Sequence, residues 1–252
     1  MIKTALVTGG SQRVGRSICM GLAQAGYKIA IHYNSSAAPA EALAEELNEA
    51  HGDGATIAVA IKADLANGAE TRTLVQRAID QIGPIGLLVN NASLFEEDSL
   101  QEIDDDTWDR HFAVHVKAPS LLSSAFAGQK PDDGLIINII DERVWKLTPN
   151  FTSYTLSKST LWTATKTMAQ ALAPNIRVNA IGPGPTLPSY RQTQEDFDEQ
   201  LQALLLKRSP DLSEFTNTIL YYVGAKSVTG QMICLDGGQH LGWQTPDQLA
   251  KE

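Results

Sequence analysis

Tyr154 and Lys158 stand four residues apart in TSYTLSK, with Asp141 upstream of them. Side chains at i and i+4 share one face of a helix, so this spacing puts an ammonium beside a phenol. The cation is expected to lower the phenol pKa from about 10 and make it a usable proton donor. Such acid chemistry calls for a hydride source.

A source is suggested at the other end of the chain. IKTALVTGGSQRVG runs from an apolar stretch, residues 2 to 7, into a glycine-rich turn and then a helical pattern. Glycines let the backbone turn tightly and approach a phosphate, and the helix behind offers free N–H groups and its positive dipole end to a pyrophosphate. A dinucleotide fits over such a turn. A plain tight connection is the alternative for the turn taken alone.

The elements that must position these residues follow from pattern. Short apolar runs alternate with amphipathic ones of helix length: TALV with VGRSICMGLAQAG, KIAIHY with AEALAEELNEAHG, TIAVAI with AETRTLVQRAIDQIG, and GLLVNNA with a helical stretch around 107 to 127. LIINII, a helix through 153 to 172, IRVNAI, a helical segment near 212 to 224 and MICLDGG complete the series. The alternation predicts an α/β fold, a parallel sheet wound by helices on both faces. Ligands then bind beyond the carboxyl ends of the strands. Gly9 to Gly15, Asn34 to Ser36, Asp64, Asn90 to Phe95, Asp141 and Pro183 to Thr186 all fall just after predicted strands.

At 252 residues, 43% hydrophobic and 19% charged, the chain suits one enzyme-sized domain spanning 1–252. Within it, residues 183 to 210 carry four prolines and read as a mobile substrate loop. The net charge of −9 and the lack of a basic run argue against nucleic acid or an anionic membrane as partner. Residues 1 to 8 already read as a strand, and no apolar stretch approaches the roughly 18 residues that span a bilayer. A cytoplasmic protein is expected. Cys19 and Cys234 form neither a disulfide framework nor a metal-ligand set and are expected to pack as buried thiols.

TGGSQRVG, NNAS, YTLSK, IGPGPT and LDGG, in this order, resemble the short-chain dehydrogenase/reductase family over nearly the whole chain. The resemblance implies a Rossmann-like, doubly wound sheet of about seven strands, a nicotinamide cofactor and a homotetramer. Tyr154 would be the general acid or base, and Lys158 would lower its pKa and hold the nicotinamide ribose. Carried onto this sequence, the cofactor site comprises Gly9, Ser11, Arg13, Val14, Gly15, Asn34, Ser35, Ser36, Asp64, Leu65, Asn91, Ala92, Ser93, Tyr154, Lys158, Pro183 and Gly184.

Three departures narrow the resemblance. Arg13 replaces a glycine of the turn, Asp141 stands where the family has its catalytic serine, and NNAG becomes NNAS, followed by Leu94 and Phe95. Together with IHYNSSAAPAEAL, these are similar to the pteridine reductase branch, which includes bacterial dihydromonapterin reductases. Arg13 then serves cofactor phosphates or a pterin edge, or is a solvated surface arginine. Asp141 anchors Tyr154 and helps relay a proton, or caps the strand end and pairs with Arg143. Phe95 stacks on a flat heterocycle, or merely anchors its loop. Ser93 faces the cofactor phosphate and the substrate amino group. Asp64 with Leu65 contacts adenine, or Asp64 is a helix N-cap. His115, in the position of the family's proton-relay asparagine, bridges water to Lys158 or is a buried neutral histidine, the two readings standing even. His111 and Trp108 are expected in a helix-pair interface between subunits.

No acid follows the second strand, where His32, Tyr33, Asn34, Ser35 and Ser36 stand, so a 2′-phosphate is not repelled and NADPH is the expected cofactor. Ser35 falls where that branch often carries an arginine. The expected activity is hydride transfer from NADPH to a dihydropterin or folate-like ring, with Arg13, Ser93, Phe95, Asp141 and Tyr154 around the substrate and no metal. The alternative enzyme is a carbonyl reductase of 3-oxoacyl thioesters, sugars or small ketones, against which Asp141 argues because an ionised carboxylate polarises a carbonyl poorly. A catalytically silent NADP-binding regulator is the third reading, opposed by the intact Tyr154 and Lys158.

Overall fold

The computed structural model describes residues 1–52 and 54–245; Asp53 and residues 246–252 of the expected 1–252 domain lie outside the described residues. Seven strands are all parallel: β1 (Thr4–Val7), β2 (Lys28–Tyr33), β3 (Ala58–Lys62), β4 (Leu87–Asn90), β5 (Gly134–Ile139), β6 (Ile176–Pro183) and β7 (Met232–Leu235). Their order is β3-β2-β1-β4-β5-β6-β7. A strand covered on both faces reads as a continuous apolar run rather than an alternating one. TALV and GLIINI are such runs, and both are buried throughout.

Alternate side chains of each strand feed opposite layers. Val7, Ile31, Val89 and Ile137 pack with Ile18, Leu22, Leu43, Phe215 and Ile219 of helices α1 (Arg13–Gln24), α2 (Ala37–His51) and α8 (Leu212–Gly224). Leu6, Leu88, Ile136 and Val178 pack with Leu74, Leu122, Phe126 and Ala169 of α3 (Gly68–Ile82), α5 (Ala118–Gly128) and α6 (Thr152–Leu172). Each fully buried Leu, Ile or Phe contributes about 1.5–3 kcal/mol over its exposed state. With helices on both faces, a crevice opens where the strand order reverses, between β1 and β4.

Two expectations are refined. The stretch around 107 to 127 is α4 (Asp105–Phe112), a π-helical turn over Ala113–Lys117, and then α5. Pro119 cannot donate, and its ring clashes with the carbonyl one turn back; the widened turn relieves this, with Ala118 N–H bonded to Ala113 O. The loop 183–210 contains α7 (Gln194–Gln202), begun by a capping box in which Thr193 and Asp196 each accept from the other's backbone N–H. Phe197 and Leu204 pin this helix down by burial.

Candidate active site

The first wall of the site is the glycine-rich turn. Gly9 has φ +60, and a Cβ on Gly15 would overlap the Gly9 carbonyl oxygen and stand 2.7 Å from Asn91 Nδ2, so no side chain fits there. Arg13 occupies the left-handed region with φ 50, which is why glycine suits this position better. Asn91 ties the turn to β4: its Nδ2 donates to Thr8 O at 2.9 Å and Gly9 O at 3.0 Å. His32 supports it from below, accepting from Gly9 N–H at 3.1 Å on Nδ1 and donating from Nε2 to Ala63 O at 3.0 Å. That donor pattern fixes a neutral ring, and burial pushes its pKa down to about 4.

The second wall is the start of α6. Its N-terminus lacks a side-chain cap of its own, Phe151 there being left-handed with φ 58. Asp98, buried, takes over: its two carboxylate oxygens accept from Ser153 N–H at 3.1 and 3.0 Å. A carboxylate at this end also suits the helix dipole. Tyr154 and Lys158 are thereby held rigidly, at 5% and 2% exposure.

Tyr154 Oη donates to Asp141 Oδ2 at 2.7 Å, while Asp141 Oδ1 accepts from Arg143 N–H at 2.9 Å. Asp141 therefore anchors Tyr154 and also caps the turn after β5, its bond to Arg143 being to the backbone. Lys158 Nζ donates to Ile139 O at 3.0 Å and lies 5.7 Å from the Tyr154 ring centre. The expectation that Lys158 lowers the phenol pKa is corrected: burial and the neighbouring Asp141 hold Tyr154 well above its usual range, against smaller opposing effects of Arg143 and Ser93. Burial also raises Asp141 and brings Lys158 down to about 8. A phenol so placed keeps its proton at neutral pH.

Two histidines, one turn apart, brace this dyad. His115 Nε2 accepts from Leu94 N–H at 3.1 Å and lies 3.0 Å from Ser93 Oγ, so its proton sits on Nδ1, 2.8 Å from Ser157 Oγ. His111 repeats the pattern, with Glu96 N–H at 3.3 Å from Nε2 and Ser153 Oγ at 2.7 Å from Nδ1. Both rings meet the Tyr154 ring edge-on, at 5.9 and 5.4 Å. Burial, helped by Lys158 and the neighbouring His111, holds His115 well below the usual imidazole range. His115 is thus the buried neutral histidine of the second reading. His111 is corrected: it is fully buried inside the protomer, whereas Trp108 stacks at 5.2 Å on Phe112 and stays half-exposed.

A cavity of about 540 Å³ runs from the turn to the dyad. It brings together Gly9, Ser11, Arg13, Val14, Gly15, Asn34, Ser35, Ser36, Asp64, Leu65, Asn91, Ala92, Ser93, Phe95, Asp141, Tyr154, Lys158 and Pro183. Gly184 is not on its wall; it packs against Asp236 and lines a second, adjoining cavity of about 200 Å³. Arg13, Phe95, Asp141 and Tyr154 line both. Phe95 stacks on Phe151 at 4.4 Å, with the Arg143 and Arg191 guanidinium carbons 5.3 and 5.0 Å from its ring centre. Arg13 donates to Leu187 O at 3.2 Å and Pro188 O at 3.0 Å, so it is bonded to the 183–210 loop rather than merely solvated. Asp64 is not the cap of α3, a role held by Asn67; its Oδ1 accepts from Ala66 N–H at 2.9 Å.

Sequence reasoning missed Asp98, Phe151, Arg191 and the serines flanking Tyr154. The paired i, i+4 spacings of His111 with His115 and Ser153 with Ser157 were the available signal. Counting cysteines also missed that Cys234, only half-buried, lies with Asp236 and His240, their donor atoms within 4.8 Å of one another. Asp236 is spent as a turn cap, accepting from the Gly238 and His240 backbone N–H groups and from His240 Nδ1 at 2.6 Å.

The chain belongs to the short-chain dehydrogenase family, whose model matches residues 3–199. The crystal structure of FolM alternative dihydrofolate reductase 1 from Brucella suis, in complex with NADP, superposes with a TM-score of 0.94 at 54% identity, covering 98% of this chain and 99% of that one. The crystal structure of a blue fluorescent protein from a metagenomic library, in complex with NADPH, gives 0.86 at 34% identity over 94% and 97% of the two chains. The 3-oxoacyl-[acyl-carrier-protein] reductase FabG of Staphylococcus epidermidis is 32% identical over 248 residues, 96% of this chain and all of that protein. Among the described residues no helix is long and apolar enough to cross a membrane.

Proposed function

We propose that the protein is an NADPH-dependent reductase of a pteridine ring, a dihydropterin or a folate-like compound. The observation that carries this is the Tyr154–Asp141 hydrogen bond, 2.7 Å long, at the junction of the two cavities. The neighbour at 54% identity is a FolM alternative dihydrofolate reductase bound to NADP, which supports both the substrate class and the cofactor.

The residues fit the cofactor. The turn leaves no room for a Cβ at Gly15, the first residues of α1, Arg13 to Gly15, line the cavity, and no acid stands at Tyr33 to Ser36 to repel a 2′-phosphate. When bound, the reduced nicotinamide supplies a hydride. Tyr154 delivers the matching proton to the ring nitrogen beside the carbon that accepts the hydride, so that C=N becomes CH–NH. Asp141 aims the phenol and holds its proton; Lys158, still largely protonated at neutral pH, would hold the nicotinamide ribose. Ser93 and Phe95 position the ring, with Arg13 at its edge. The protein is further read as a cytoplasmic homotetramer that pairs through α4 and its Trp108.

The 32% identical FabG favours carbonyl reduction as the second reading. Absorbance of NADPH is followed with a dihydropterin and, in parallel, a short 3-oxoacyl thioester. Oxidation with the pterin alone is expected; oxidation with the thioester alone would replace this function by the second.

A further inference from the structure

Away from the hydride-transfer site, the segment CLDGGQH gathers a second set of donor atoms. Cys234 lies near the end of β7 and Asp236 just past it, and positions i and i+2 of a strand face one side. Gly237 and Gly238, with φ 61 and 82, then curl the chain back into the short helical turn Gln239–Leu241. His240 is thereby returned to Asp236. The Cys234 thiol, the Asp236 carboxylate and the His240 imidazole each bring a donor atom within 4.8 Å of the other two.

Thiolate, imidazole and carboxylate are together the ligand types of a zinc ion, at about 2.0–2.3 Å. Ligands at that range around a tetrahedral ion stand about 3.3–3.8 Å from one another. The separations here bracket that spacing, from 2.6 Å between His240 Nδ1 and Asp236 Oδ2 to no more than 4.8 Å, so small side-chain rotations close the site. Asp236 is buried and held in place by the Gly238 and His240 backbone N–H groups, at 3.0 and 2.8 Å. A carboxylate offers about four lone-pair sites, so these two bonds leave it free to ligate. Cys234 and His240 are half-buried, which leaves an approach from solvent, and the Trp145 ring, 5.3 Å from the His240 ring, shields one side. The turn Glu142–Val144 packs against Gln239–Leu241 and adds a further acid, Glu142, which is buried and whose Oε2 has no hydrogen-bond partner among the described residues. Among those residues, His240 is the one ion-pair partner that either carboxyl has. Two buried acids and a thiol thus share a place that is short of positive charge.

We propose that Cys234, Asp236 and His240 bind a divalent metal ion of zinc type, which clasps the turn Gln239–Leu241 to the end of β7. The ion enters between His240 Nδ1 and Asp236 Oδ2, where one proton now bridges them. That proton is exchanged for one on Nε2, and the Cys234 thiol proton is released to water, so the donors bind as imidazole, carboxylate and thiolate. The two anions match the charge of the ion, and a fourth position stays open to water. The clasp takes no part in hydride transfer and is independent of which ring the enzyme reduces.

The test uses cobalt(II) as a spectroscopic probe, added to reduced protein that a chelator has freed of metal. One equivalent is expected to bind, giving the near-ultraviolet charge-transfer band of a cobalt thiolate and the strong visible bands of a four-coordinate ion, and zinc(II) should displace it. Cys234→Ala should abolish the charge-transfer band, and His240→Ala should weaken binding by more than about tenfold. Cys19→Ala, at the other, fully buried cysteine, should keep both. Zinc(II) should also raise the Tm of the wild type but not that of Cys234→Ala. A wild-type spectrum without the charge-transfer band overturns the site, as does a band that survives Cys234→Ala. Cobalt affinity unchanged in His240→Ala, or an equal rise in Tm for wild type and Cys234→Ala, would show adventitious surface binding and overturn it too.

Discussion

Acidification should weaken this fold through His32, in an amount that its surroundings define. The ring takes the Gly9 N–H on Nδ1 and spends its only proton on Ala63 O, so a second proton must displace the Gly9 bond inside a nearly closed site. Its pKa lies near 4 in the folded protein, against 6.5 ordinarily. Below about 6.5 the unfolded chain binds a proton that the folded chain refuses until about 4, so stability is complete above that window and falls as pH drops through it. The full gap is worth about 3 kcal/mol, of which about 2 kcal/mol is lost between about pH 7 and pH 5. His111 and His115 act in the same direction, and Asp141 and Glu142, raised by burial, in the opposite one. The comparison must therefore cancel them. His32→Gln keeps an acceptor for Gly9 and a donor for Ala63 but does not titrate. Urea unfolding of both proteins at the two pH values should show the wild type losing about 2 kcal/mol more than the variant. Equal losses would show that His32 is not held neutral by these two bonds.

Tyr154→Phe should lower kcat by about 10²- to 10⁴-fold, the usual contribution of a positioned acid, while fluorescence titration finds NADPH affinity essentially unchanged; full turnover would remove Tyr154 from the chemistry. His115→Ala deletes the bonds to Leu94, Ser93 and Ser157 and orphans a backbone N–H, which should cost about 3–5 kcal/mol in denaturant unfolding. A cost under about 1 kcal/mol would mean that another contact holds the loop against α6. Gly15→Ala must push the Gly9 carbonyl aside, so calorimetry should find NADPH binding lost; normal affinity would show that the turn yields.

The sheet was legible because burial on both faces writes strands such as TALV and LIINII as largely apolar runs, broken only by Thr4 and Asn138, and the cavity-lining residues were legible because they follow those strands. Tyr154 and Lys158 were readable from helical spacing alone. The direction of the Tyr154 pKa was not: it depends on how completely the phenol is buried and on Asp141 lying 2.7 Å away, facts that belong to packing rather than to spacing. Asp98 escaped notice for a similar reason, since it caps a helix that begins far along the chain, at Thr152. α7 was hidden among prolines, although Thr193 and Asp196 carry a capping signature.

Arg13 binds the carbonyls of Leu187 and Pro188 and also borders the cavity proposed for the cofactor. One guanidinium has five donors in a single fork and cannot turn fully toward two places. A phosphate that draws Arg13 inward takes donors away from the loop covering the smaller cavity. Linkage is reciprocal, so a loop held down by Arg13 must penalise the arrival of that phosphate by the same free energy. The two cavities are thereby coupled in both directions through a single side chain.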